Sequence, residues 1–242
     1  MTENSRQDPG HGNAWAEILY HTVYLRPLGR SSVVLDLGAS IGFFSHEMNR
    51  LFGCRCHAVE ALPDNFARIE ETPSITPHHL AICGKDGPVT IHSVDEYHAS
   101  ASIDLMPGQN ARDTLEVEGI TLGGLMSRLN LDRVSLLKVD IEGAELAMFD
   151  TADDATLRRI DQITVEFHDF MDPGQTAHVK TIIARLQALG FRSIKFTGRF
   201  HGDVLFLNPE RTGISRFEYL YARYVMRFTR GLRRRAGEKF SK

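Results

Sequence analysis

The chain of 242 residues is 42% hydrophobic and 24% charged with a formal net charge of −3, which is enough for one α/β domain with a full core and too little for two independent enzymatic domains. No run approaches the roughly 18 apolar residues of a membrane-spanning helix, and the opening MTENSRQDPGHGNAW lacks the apolar core of about 7 residues that a secretory leader needs. Three cysteines are too few for a disulfide framework, and Cys54-Arg55-Cys56-His57 matches no usual zinc spacing, so a reduced, cytoplasmic setting is expected.

Along the chain, residues 1–30 are expected to form a frayed extension and one helix, Asn13 to Leu28, with the spacing of Trp15, Ile18, Leu19, Thr22, Val23 and Tyr24 giving it one buried face. Val33 to Leu37 is a short apolar strand running into a glycine-rich turn, and Phe43 to Phe52 a helix stopped by Gly53. Cys56 to Glu60 and Ile75 to Ile82 repeat the strand pattern around a helix from Pro63 to Glu71. Between residues 84 and 124 the helices give way to alternating segments, Val89 to Ser93 and Leu115 to Ile120, which read as a β-rich insertion or substrate flap. Helix, strand and helix then resume at Leu122 to Leu129, Val134 to Asp140 and Gly143 to Phe149. Ile160 to Phe167 is a further strand and His178 to Leu189 a periodic helix. Phe191 to Phe196 and Gly202 to Leu207 are close enough in sequence that they must pair antiparallel. Such alternation implies a mostly parallel sheet with helices on both faces over residues 31–210 and an antiparallel last strand.

In open α/β sheets the ligand sits beyond the carboxyl ends of the strands. Asp36-Leu37-Gly38-Ala39-Ser40-Ile41-Gly42 lies there, with Gly38 and Gly42 free to turn sharply and helix-start amides facing outward. Glu60, 22 residues after Gly38, stands where a carboxylate accepts two ribose hydroxyls. Ser40 replaces the middle glycine that a pyrophosphate requires, so the loop favours a nucleoside without phosphates over a nicotinamide dinucleotide. An NAD-dependent oxidoreductase and a non-catalytic nucleoside-binding module are the competing readings.

A central parallel strand should be apolar on both faces, yet Lys138 and Asp140 share one face of theirs, and Thr164, Glu166 and His168 one face of the next. Asp140, Glu142, Glu166 and His168 would therefore ring one crevice, while Glu145 has a second explanation as a helix-dipole partner. The segments VVLDLGASIGFFS, HAVEALPDNFARI, LLKVDIEGAEL and ITVEFH, in that order, resemble the FkbM family of methyltransferases over roughly residues 31 to 208, and KVDIEGAEL is the most specific of them. The resemblance implies a Rossmann-like class I methyltransferase fold with seven strands. It also implies methyl transfer from S-adenosylmethionine to an oxygen of a sugar, polyketide or other small metabolite. It places Asp36, Gly38, Ser40, Gly42 and Glu60 at the cofactor, and Asp140 with Glu142 at the boundary with the acceptor. Ala39, Ala61, Ala81 and Ile82 complete the candidate cofactor set, and Glu142, His168 and Glu166 form the candidate catalytic set. A hydroxyl acceptor needs a base, for which His168 or Glu142 is expected. No recognised ligand spacing supports a metal, and a metal-free mechanism is expected.

The tail from Arg211 carries ten basic residues against Glu218 and Glu238, about +8, leaving about −11 for the rest. Ile214, Phe217, Tyr221, Tyr224 and Phe228 fall on one helical face among arginines. A basic amphipathic helix of this kind suits peripheral contact with an anionic membrane surface, or self-association, and the acidic remainder disfavours nucleic acid.

Overall fold

The computed structural model describes residues 14–93, 101–102 and 113–230. The start expected to fray, the polar segment 95–112 apart from Ala101 and Ser102, and the run Arg233-Arg234-Arg235 lie outside the described residues.

The expected opening helix is a hairpin, β1 (Trp15–Ile18) paired antiparallel with β2 (His21–Tyr24). Its two-residue turn is Leu19-Tyr20, with φ of 47° and 68°, a conformation that hairpins usually give to Asn or Gly. A left-handed conformation costs such residues about 1–2 kcal/mol each, so the hairpin must gain elsewhere. It gains by docking. Tyr24 N–H donates to Gln162 Oε1 at 3.1 Å and Gln162 Nε2 returns a bond to Tyr24 O at 3.0 Å. Thr22 donates its amide and hydroxyl to Asp203, at 3.3 and 2.7 Å.

Two strand-helix units follow: β3 (Val33–Leu37), α1 (Phe43–Phe52), β4 (Arg55–Glu60) and α2 (Pro63–Phe66), shorter than its apolar spacing suggested. The expected strand from Ile75 to Ile82 is two strands. β5 (Ile75–His79) ends where Leu80 N–H donates to Glu60 O, and β6 (Ala81–Ile82) leaves for a second sheet. Apolar residues on both sides of that crossing hide it in the sequence. The second sheet also holds β7 (Gly87–Ser93), β8 (Ala101–Ser102) and β9 (Asp113–Ile120), in the order β6-β9-β7-β8. The chain then runs α3 (Leu122–Arg128), β10 (Leu136–Val139), α4 (Glu145–Thr151), α5 (Asp154–Arg158), β11 (Gln162–Val165), α6 (Thr176–Ala188), β12 (Arg192–Lys195) and β13 (Val204–Leu207). α7 (Pro209–Thr212) and α8 (Arg216–Leu220) close it, the latter continuing through a π-helical stretch, Tyr221–Met226. The short α5 and α7 were not foreseen, although Asp153 and Asn208 cap them with side-chain bonds to Thr156 and Glu210 amides.

The main sheet has the order β12-β13-β11-β10-β3-β4-β5; β13 is antiparallel to both neighbours and every other pairing is parallel. One face buries Leu35, Leu37, Leu137, Val139, Ile163 and Val165 beneath Met126, Met148, Phe149 and Ile182. The opposite face buries Val34, Ala58 and Leu136 against Phe44 and Met48. That face also carries a polar row, Asp36, Lys138 and Thr164, adjacent in register across β3, β10 and β11. The hairpin meets it: His21 Nδ1 stands 3.4 Å from Thr164 Oγ1.

At the other end of the sheet, His57 Nδ1 lies 3.0 Å from His78 Nε2. Burial, with His78 and Arg55 nearby, lowers the His57 pKa from 6.5 to about 4. Between those values the unfolded chain binds a proton that the folded chain does not, so stability falls as pH drops through that window. Urea midpoints at pH 7 and pH 5 should therefore differ less in His57→Gln than in the unsubstituted chain; an equal difference would discount the pair.

Candidate functional site

The loop after β3 owes its shape to what its neighbours leave free. Gly38 has φ of 74°, and a Cβ there would lie 1.7 Å from the backbone oxygen of Asp140, so the ends of β3 and β10 approach as only glycine allows. Beneath the loop, buried Lys138 donates to Gly38 O at 2.6 Å and pairs with Asp36 Oδ1 at 3.3 Å. Burial opposes the ammonium charge, but Asp36 and Asp140 hold its pKa above the ordinary lysine value. Asp36 is wholly buried and accepts Ser45 Oγ at 2.8 Å. It therefore braces the loop from below.

Beyond β3, β4 and β10 opens a cavity of about 280 Å³. Of the residues expected at a cofactor, Gly38, Ser40, Glu60, Ala61, Ala81, Ile82 and Asp140 line it, as does Glu142 from the catalytic set. Asp36, Ala39 and Gly42 do not; Ala39 is packed in the core and Gly42 caps α1 with φ of 84°. Val59, Leu62, Leu80, Ile91, Ile141 and Ala144 were not singled out from sequence yet also line it. Glu60 accepts the Ser40 amide at 2.7 Å through Oε2 and the Leu62 amide at 2.9 Å through Oε1. Burial raises its pKa, and those two amides oppose the rise. Each oxygen keeps a further lone pair for a ligand hydroxyl.

On the far side of Asp140 the structure gathers the carboxylates. Glu142 sits at φ of 51° and Gly143 at 101°, a local strain of the kind that persists where neighbours fix the backbone. Glu145 supplies that fixing: Oε1 accepts the amides of Ile141 at 3.2 Å and Gly143 at 3.1 Å. The same oxygen lies 2.9 Å from His168 Nδ1, so Glu145 orients the imidazole as well as standing in a first helical turn. His168 Nε2 is then 3.4 Å from Glu142 Oε2 and 3.9 Å from Asp140 Oδ1. Burial works against a charged imidazole, but Glu145, Glu142 and Asp140 carry its pKa up to about 9. His168 therefore holds its proton at neutral pH and is poorly suited to take another. Burial also raises Glu142, against the pull of His168. Glu166, pushed by burial and the charge of Asp140, rises to about 7.

Sequence reasoning missed one member of this group. His21, at 2% exposure, puts Nε2 3.5 Å from Asp140 Oδ2. A helical reading of residues 13–28 gave no reason to send it toward Asp140. Two overlapping sets, His21 with Asp140 and Glu166, and Asp140 with Glu142 and His168, keep their ligand-type atoms within 4.8 Å of one another.

A seven-stranded sheet in this order, with one reversed strand and a cavity beyond β3 and β4, defines a class I, Rossmann-like methyltransferase fold. A family model described as the methyltransferase FkbM domain matches residues 36–193, and the chain belongs to that family. It is 26% identical over 189 residues to Methyltransferase 1 of Beauveria bassiana, covering 68% of this chain and 74% of that protein. It is also 26% identical over 220 residues to the AMB antimetabolite synthetase AmbE of Pseudomonas aeruginosa, covering 73% of this chain and 10% of the synthetase. Among solved structures it is similar to the methyltransferase FkbM from Methylobacillus flagellatus KT, with 15% identity, a TM-score of 0.45, and 74% and 44% of the two chains covered. The chain thus spans about a tenth of the synthetase and under half of that FkbM chain. Among the described residues no helix is long and apolar enough to cross a membrane.

Proposed function

We propose that the chain transfers a methyl group from S-adenosylmethionine to a hydroxyl oxygen of a sugar, glycan or other small metabolite. The observation that carries this reading is the continuity of the cavity with the carboxylate group: Asp140 and Glu142 belong to both. The lining suits the cofactor chemically. Leu62, Leu80, Ile82 and Ile91 offer apolar surface to a flat base, Glu60 offers carboxylate oxygens to a ribose, and Asp140 offers a carboxylate to a cationic end. Ser40 stands where a dinucleotide-binding turn has its middle glycine, which counts against the dinucleotide alternative.

When bound, S-adenosylmethionine supplies an electrophilic methyl carbon on a sulfonium. The protein's part is alignment and one proton. Gly38 and Ser40 let the loop backbone close on the cofactor, and Lys138 and Glu145 hold the two loops rigid, which is where in-line displacement gains most. Glu142 receives the acceptor proton. It is the carboxylate that lines the cavity and also faces His168, whose retained proton stabilises the ionised form until the acceptor arrives. Glu166 does not line the cavity. Incubation with methyl-labelled S-adenosylmethionine and parallel panels of sugar hydroxyls and amines should place label on oxygen. Label confined to nitrogen would overturn the acceptor class.

A further inference from the structure

We propose that His21, Asp140 and Glu166 form a binding site for a divalent transition-metal ion, of the Mn2+ or Zn2+ type, at the Asp140 edge of the cavity. The three side chains come from β2, the end of β10 and the end of β11, so no sequence spacing reveals them. Their ligand atoms lie within 4.8 Å of one another, a span that side-chain torsions can close around one ion with bonds of about 2.1 Å. Acidic groups alone would not single out a cation. His21 does: it is buried at 2% exposure, its Nε2 has no hydrogen-bond partner, and that atom points at Asp140 Oδ2 from 3.5 Å. That 3.5 Å contact is an ion pair too long for a good hydrogen bond, and a metal ion is the ligand that an imidazole and two carboxylates share. Nδ1 of the same ring faces Thr164 Oγ1 at 3.4 Å, the second contact that ligating histidines usually make. His168 is the weaker candidate ligand, since Glu145 holds Nδ1 and Glu142 faces Nε2. Mixed nitrogen and oxygen ligation favours a transition ion over Ca2+.

Three protein ligands would leave a coordination position open for an acceptor oxygen. There an acceptor hydroxyl would lose its proton to Glu142 as its oxygen bonds the methyl carbon and the carbon–sulfur bond breaks, the ion lowering the hydroxyl pKa. This catalytic role rests on the proposed methyl transfer; binding of the ion does not. Titration of the whole chain with MnCl2, followed by electron paramagnetic resonance of free Mn2+, should show one saturable site. Its affinity should fall at least about 10-fold in His21→Ala and in Glu166→Gln, as loss of a ligand or its support does, and stay unchanged in His178→Ala on the surface. Should His21→Ala lower the melting temperature, Glu166→Gln tests the site from the sheet side. Absence of saturable binding up to millimolar Mn2+, or wild-type affinity in Glu166→Gln, overturns the site. Binding that behaves as expected without methyl transfer to any acceptor would leave the site standing and count against the proposed function alone.

The helix begun by α8 packs on the domain through Tyr219, Ala222 and Met226, against Trp15, Ile194, Phe196 and Leu205. The apolar face singled out from the sequence is turned outward: Ile214 is buried, but Phe217, Leu220, Tyr221, Tyr224, Val225 and Phe228 are exposed, Phe217 at 78% and Phe228 at 66%. Of these, Phe217, Tyr221, Tyr224 and Phe228 step by three and four along one helix, with Arg216, Arg223 and Arg227 beside them. The geometry points to an anionic lipid surface as the occupant. Aromatic side chains flanked by arginines match the interface of such a bilayer, whereas a second copy would bring like-charged helices together. Since Ala222 and Met226 anchor this helix, point substitutions test it more cleanly than deletion. The chain should co-sediment with vesicles containing phosphatidylglycerol and not with pure phosphatidylcholine, and Phe217→Ser with Phe228→Ser should weaken that binding about 10-fold or more. Failure to bind the anionic vesicles overturns the proposal. So does a concentration-dependent dimer abolished by the same substitutions.

Discussion

Gly38→Ala should reduce methyl transfer by two orders of magnitude or more and lower the melting temperature by roughly 6–12 °C. The new Cβ would fall 1.7 Å from the Asp140 carbonyl oxygen, and nothing flexible stands there to yield. Either the β3 loop lifts or the end of β10 moves, and both carry residues that line the cavity. Overpacking against backbone and a left-handed alanine together cost about 3 kcal/mol, and each kcal/mol lowers the midpoint of a chain this size by about 2–4 °C. Displacement of a reacting group by about 1 Å is enough for a 100-fold loss of rate. Calorimetric melting and initial rates check both parts; a chain melting as the original would show that β3 and β10 are less tightly apposed.

Glu142→Gln should lower turnover by about 10²–10⁴-fold, the usual contribution of a positioned base, with cofactor affinity within several-fold of the original. The substitution keeps the side-chain volume and leaves the Glu145 bonds to Ile141 and Gly143 intact. It removes the carboxylate that lines the cavity next to His168. Glutamine at 142 with turnover near the original would move the proton acceptor to another group of the cluster.

The sheet was legible because its strands are apolar runs punctuated by Gly and Pro, and the loop from Asp36 to Gly42 because glycine spacing states a backbone need directly. The stretch from Lys138 to Leu146 was legible because polar residues at the end of a buried strand have no packing reason to be there. Other features depend on contacts distant in sequence. Leu19-Tyr20 occupies a hairpin turn without the Asn or Gly that would announce it, while Trp15, Ile18, Leu19, Thr22 and Val23 imitate helical spacing. His21 was lost with that hairpin, and with it one of the two imidazoles near Asp140. The helix after Ser215 carries two apolar stripes; the one with small Ala222 lies against the domain, and aromatic content alone could not say which would. Glu145 does stand in a first helical turn, the second explanation its position offered, but its bonds to Ile141, Gly143 and His168, which no sequence spacing announces, also make it the brace of the site.

The most direct test is calorimetric titration of the chain with S-adenosylmethionine and, separately, with NAD. One saturable site is expected for S-adenosylmethionine and none for NAD, with affinity reduced about 10- to 100-fold in Glu60→Gln, as the loss of charge-assisted hydrogen bonds worth about 1.5–3 kcal/mol requires. Saturable binding of NAD, or S-adenosylmethionine bound equally well with glutamine at position 60, would contradict it.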